Sequence, residues 1–151
     1  MSAAVKLKGF KELEDIFEKL PLEVARGAGN DGIRAGAKIV LEEAKRRVPV
    51  KTGKLRDSLY IKKVRATKPV YKVIAKRPEG SHAWLVELGT KPHDIHNVNF
   101  KGKFYPVVHH PGAKKQPFLR PALLDKQGAV VAEVRNRIVK SITKRLKKFL
   151  K

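Results

Sequence analysis

The sequence predicts an α+β protein: a small, mostly antiparallel sheet packed against a long N-terminal helix and a long C-terminal helix, with an extended loop. Three observations carry that prediction. Apolar residues recur at helical spacing in two segments, one ending near residue 48 and one beginning near residue 119. Between them lie two short runs rich in Val, Ile and Tyr. A stretch of Pro, His, Asn, Gly and Lys then separates those runs from the last helix. At 151 residues the chain has the length of a single domain, 1–151.

The elements follow in order. Phe10, Leu13, Ile16, Phe17 and Leu20 share one helical face, which Pro21 interrupts. A second stripe, Ile33, Ala37, Val40, Leu41, Ala44 and Val48, gives the long helix. It stops at Val48, because Pro49 drives the preceding residue out of the α region. Ser58–Val64 and Val70–Ala75, separated by 65–69, read as an antiparallel hairpin. Trp84, Leu85 and Leu88 give one or two helical turns, closed by Gly89. A long loop covers 91–116, with Phe104–Val108 its only strand-like piece. Val131, Val134, Ile138, Ile142, Leu146 and Phe149 trace a final amphipathic helix over about 119–150, with a basic outer face.

Charge narrows the function classes. The net charge is +21, and it is unevenly spread: residues 45–77 hold thirteen basic side chains and one acid, whereas residues 1–43 are nearly balanced. Such a field attracts polyanions and favours a binding or assembly protein over a metabolic enzyme. No run is long and apolar enough for a membrane span, and the N-terminus lacks a secretory pattern. Neither a membrane partner nor secretion is expected. With no cysteine, disulfides and thiolate chemistry are excluded.

Candidate motifs for chemistry fail on their context. Gly27-Ala28-Gly29-Asn30-Asp31-Gly32 spells a dinucleotide fingerprint, but no buried strand precedes it. Its glycines are expected to loosen the junction of the first two helices. Gly53-Lys54 lacks the first glycine and the Ser or Thr of a phosphate loop. His93, His96, His109 and His110 have only Asp94 nearby and no metal-site spacing. The serines lack a nucleophile elbow, and no paired carboxylates occur in the sheet region. No catalytic residue, cofactor or metal ligand is assigned. Lys45, Arg46, Arg47, Lys51, Lys54, Lys62, Lys63 and Arg65 are the candidate polyanion contacts, without a module for base readout.

Three stretches carry a family resemblance. They are Ala35-Gly36-Ala37 leading through Glu43-Ala44-Lys45 to Val48-Pro49-Val50-Lys51-Thr52-Gly53-Lys54-Leu55-Arg56-Asp57-Ser58, then Ala83-Trp84-Leu85-Val86-Glu87-Leu88-Gly89-Thr90, then His110-Pro111-Gly112 with Gln116-Pro117-Phe118-Leu119-Arg120-Pro121-Ala122. In register, they resemble the tail-component family of long-tailed bacteriophages, the small neck and tail-completion proteins of head–tail joining. The strong basicity departs from what that family requires. The resemblance implies a non-enzymatic virion protein of the tail or neck, present in the host cytoplasm before assembly. It implies a hexameric ring at the head-proximal end of the tail, joining tail tube to head-side connector around the DNA channel.

The motif residues have expected structural roles. Pro49 stops the long helix, Thr52 caps the next turn and Gly53 takes a conformation other residues resist. Glu87 pairs with Arg56 or Arg120, and Gly89 closes its segment. Pro117 and Pro121 direct the chain into the last helix, anchored by Phe118 and Leu119. Ile95, Val98, Phe100, Phe104 and Tyr105 make the long loop too apolar for a solvated linker. It is expected to be mobile in the monomer and to order, partly as a strand or hairpin, across a subunit or ring contact. The alternative reading is a basic, non-specific nucleic-acid-binding protein, and a small hydrolase or toxin ranks behind both.

Overall fold

A computed structural model of the chain describes residues 20–64 and 69–149. The helix expected over residues 10–20 falls outside them but for Leu20, as does Arg65. The elements are α1 (Leu22–Arg47), α2 (Lys54–Ser58), β1 (Leu59–Val64), β2 (Val70–Ala75), α3 (Ala83–Leu88), β3 (His93–Phe100), β4 (Lys103–His110), α4 (Leu119–Asp125) and α5 (Gln127–Phe149). The class is α+β, with the two long helices packed on each other.

The approach of α1 to α5 depends on small side chains. Ala28, Gly32, Ala35 and Gly36 lie buried along α1, and Val130, Val134 and Ile138 press on them from α5. A Cβ placed on Gly32 would sit 2.4 Å from Ile138 Cγ1, and one on Gly36 would sit 2.6 Å from Val134 Cγ2. Each glycine costs about 1 kcal/mol of helix propensity relative to Ala. Here that cost is offset by close-packed contact between the helices. Two expectations are thereby corrected. The glycines of the Gly27–Gly32 motif lie inside one continuous helix rather than at a junction, so they make no phosphate loop. The helix also begins at Leu22, well before the Ile33 stripe, because its buried line is written in Ala and Gly instead of large apolar residues.

A second core forms where α1 ends. Val48 leaves the helix with ψ 132°, as Pro49 dictates, and Gly53 turns the chain with φ 77°. Leu55, Leu59, Phe118 and Ala122 then close on Ala44 and Val48, and Phe118 is fully buried. Thr52 does not cap α2, since the residue at the cap is Gly53 and no side chain bonds there.

The strands form two separate two-stranded ribbons instead of one sheet. β1 and β2 pair antiparallel from Leu59 opposite Ala75 to Val64 opposite Val70. The second ribbon is the correction to the long loop: β3 and β4 pair from His93 opposite His110 to Phe100 opposite Lys103. Lys101 and Gly102, with φ 50° and 76°, form a two-residue turn of the type I′ kind. Lys in place of Asn or Asp hides that turn, and Pro106 argues against a strand. Pro106 has no N–H, and the pairing lapses at its position opposite Asn97.

The C-terminal helix is two helices, divided at Lys126, whose ψ of 7° leaves the helical range. The break brings the junction back to the end of α1. Arg47 Nη2 reaches Asp125 Oδ2 at 2.6 Å, and Lys126 Nζ lies 3.9 Å from Glu43.

The helix contact yields a paired prediction. Gly32→Ala should destabilise the protein by about 1–3 kcal/mol, the cost of overpacking, despite alanine's better helix propensity. Gly128→Ala, in α5 where an added Cβ meets nothing within 4 Å, should instead raise stability by up to about 1 kcal/mol. Denaturant melts of the two variants decide the sign of each.

Candidate assembly surface

The surface is organised by one buried carboxylate. Helix α4 begins with N–H groups that have no intrahelical partner. Glu87, on α3 and 7% exposed, accepts from the N–H of Phe118 at 2.7 Å, Leu119 at 2.9 Å and Arg120 at 3.0 Å. Pro121 follows with no N–H to satisfy, and Ala122 N–H closes the first turn on Phe118 O. The expected pairing of Glu87 with Arg56 or Arg120 side chains is therefore replaced by a cap from another element. Arg56 instead holds Asp57 at 3.1 Å. Gln116 N–H also donates to Val86 O at 2.8 Å, so the chain entering α4 lies along α3.

The chain between α3 and α4 is pinned at its base. Gly89 takes φ 71°, and a Cβ there would lie 2.6 Å from Ala113 O. Thr90 and Ala113 exchange both backbone hydrogen bonds, while Thr90 Oγ1 is buried without a partner among the described residues. Past Pro111, Gly112 N–H donates to His110 Nδ1 at 3.0 Å. This base holds the β3–β4 ribbon outward.

Both ribbon faces carry apolar side chains. Residues opposite each other in an antiparallel pair share a face. Ile95, Val108 and Phe104 lie on one side, and Val98, Tyr105, Val107 and Phe100 on the other. Phe100 is 62% exposed and Phe104 57%, and among the described residues the ribbon makes no extensive contact with another element. Beside it, α3 exposes Trp84 at 61% together with Leu85 and Leu88. Leu85, Val50 and the 113–116 segment line an open cleft of about 370 Å³. The loop candidates Ile95, Val98, Phe100, Phe104 and Tyr105 thus belong to one paired ribbon rather than to an unstructured linker.

The polyanion candidates are spread over the end of α1, the turn at Gly53 with the start of α2, and β1. Arg46 and Arg47 are taken by Glu43, whose carboxylate accepts from Arg46 Nη2 at 2.6 Å and also from Arg47. Lys62 and Lys63 are exposed neighbours on β1 and point to opposite sides, and Lys45 is half-buried. Lys51 and Lys54 flank the turn at Gly53, and Arg65 lies outside the described residues. The histidines serve the ribbon: His109 Nδ1 meets Asp94 Oδ1 at 2.7 Å, and the His93 and His110 rings are 5.0 Å apart. Among the described residues no cluster of metal-ligand type is present, and no helix is long and apolar enough to cross a membrane.

Residues 11–89 match a protein-family model described as "Bacteriophage HK97-gp10, putative tail-component". The match covers just over half of the chain, from the segment before α1 through α3 to Gly89, and includes Glu87. Neither the curated proteins nor the solved structures give a significant match.

Two predictions follow from the carboxylates. Glu87→Ala strips three N–H groups of their acceptor, and each buried donor left unpaired costs about 1–3 kcal/mol. The variant should lose at least about 2 kcal/mol in urea melts, with Glu87→Gln losing less because its amide oxygen still accepts. The second concerns acid. Hydrogen bonds from Arg46 and Arg47 hold the Glu43 carboxyl down at about 2, from its ordinary 4.5. Its contribution to stability is complete above pH 4.5 and is lost as pH falls toward 2. Melting temperature should therefore drop across that window in the parent and drop less in Glu43→Gln.

Proposed function

The chain belongs to the HK97-gp10-like family of phage tail components, and on that premise we propose that it is a non-catalytic subunit of a ring in the tail or neck. In this reading the ring is hexameric, sits at the head-proximal end of the tail and joins the tail tube to the head-side connector around the DNA channel. Its partners are other copies of itself and the adjoining neck and tube proteins.

The observation that carries the reading is the β3–β4 ribbon. An isolated two-stranded hairpin is marginally stable in water and needs a third strand or a packed face. This ribbon offers apolar residues on both faces, with Phe100 and Phe104 more than half exposed, and the other described residues leave them uncovered. A neighbouring subunit would supply the missing cover, and Trp84, Leu85 and Leu88 on α3 extend the apolar surface at the ribbon's base. Solvent-facing apolar groups of this size and density mark protein contacts.

Assembly is tested by particle size and symmetry. The purified protein, alone or with its neck and tube partners, should give rings in negative-stain microscopy and a matching mass by light scattering. Phe100→Ser with Phe104→Ser should leave the melting temperature of the monomer nearly unchanged and abolish rings. Rings from that double variant, or monomers under every partner condition, would overturn the reading.

A further inference from the structure

Away from the ribbon, the two long helices face each other across an open groove of about 400 Å³. Arg34 and Lys38 line it from α1, and Arg137, Lys140 and Lys144 line it from α5. The remaining lining is Asp31, Ala35 and Ser141. Asp31 is the groove's one acid, and it is already occupied. Its Oδ2 accepts from Ser141 Oγ at 2.6 Å and from Arg145 Nη2 at 3.1 Å. Burial pushes the Asp31 carboxyl up, but those two hydrogen bonds and the charges of Arg145 and Arg137 outweigh it and keep it ionised below its ordinary value. Arg145 thereby neutralises Asp31. Arg137 has only a loose approach, 4.0 Å, to Glu133. Among the described residues, Arg34, Lys38, Lys140 and Lys144 have no acidic partner.

Five cations converging on one groove repel each other, and an anion there relieves the repulsion. Their spacing says which kind of anion. Arg34 and Lys38 are one turn apart, about 6 Å along the axis, and Arg137 to Lys144 covers two turns, about 10 Å. Two parallel lines of charge fit a linear array of phosphates better than a single small anion. The lining holds one apolar side chain, Ala35, so nothing there would enter the acyl region of a bilayer. We propose that the α1–α5 groove binds the phosphodiester backbone of double-stranded DNA, without sequence preference. The site stands apart from the assembly reading, because it uses neither the ribbon nor α3, and residues 127–149 lie beyond the family match.

The test is anisotropy of a short labelled duplex of arbitrary sequence, with the full chain, over a salt series. One variant carries Lys38→Gln, Lys140→Gln and Lys144→Gln, and a second, of equal net charge, carries Lys51→Gln, Lys62→Gln and Lys63→Gln. The groove variant should lose roughly tenfold or more in affinity, and its log–log salt slope should be shallower by about 2.7, about 0.9 for each phosphate contact removed. The second variant should change affinity by about threefold at most, a diffuse-field effect. Equal losses in both would overturn the proposal, since the binding would then belong to the net charge. So would a groove variant that keeps its DNA affinity but loses binding to poly-glutamate, which would make the occupant an acidic protein. Melting curves confirm that each variant is folded, and Arg34→Gln with Arg137→Gln serves if the triple variant is not.

Discussion

The N–H groups of Phe118, Leu119 and Arg120 open a helix that cannot satisfy them, and the Glu87 carboxylate takes all three. Much of the second half of the chain is positioned through that contact. It fixes α4 against α3, and Phe118 then enters the core beside Ala44, Val48, Leu55 and Leu59. The same contact closes the base from which β3 and β4 project, because residues 89–113 must leave α3 and return to α4 within one pinned loop. A buried carboxylate costs several kcal/mol unless its lone pairs are used. Here three donors use them, and the helix dipole adds to the attraction.

The molecule separates two kinds of surface chemistry. Apolar side chains are exposed on α3 and on the ribbon, where contact with protein would bury them. Five cations line the groove between α1 and α5, four of them without an acidic partner among the described residues. The family match covers α1 to α3 but neither the ribbon nor α5. The part shared with the family is thus the helix, the first ribbon and the segment carrying Glu87, while both projecting surfaces draw on the remainder.

Much of the fold was legible because strong local signals coincide with it. Pro49 after a periodic run, the Val- and Ile-rich pair around 65–69, and Gly89 after Leu88 each act through a constraint that needs no partner. The failures were tertiary. Gly32 and Gly36 read as helix weakeners until Ile138 and Val134 are brought against them, about a hundred residues away in sequence. The groove was missed for the same reason: Arg34 and Lys38 at one-turn spacing, and Arg137, Lys140 and Lys144 on one side of a helix, are visible stripes whose convergence is not. That one carboxylate, Glu43, takes both Arg46 and Arg47 is an outcome that a run of basic residues does not display. Glu87 reads as the partner of an arginine, because a sequence offers side chains as partners and conceals backbone donors.

The two notches in α1 also act as a register lock. Gly32 receives Ile138 and Gly36 receives Val134, so the antiparallel helices are keyed at two points one turn apart. Sliding α5 by a turn sets Ile138 opposite Ala28 in one direction and Val134 opposite Val40 in the other. In either case a Cβ stands where a glycine left room. The pair therefore has one seated position and no ratchet to a second, and axial force applied to α5 passes to α1 as to a single strut.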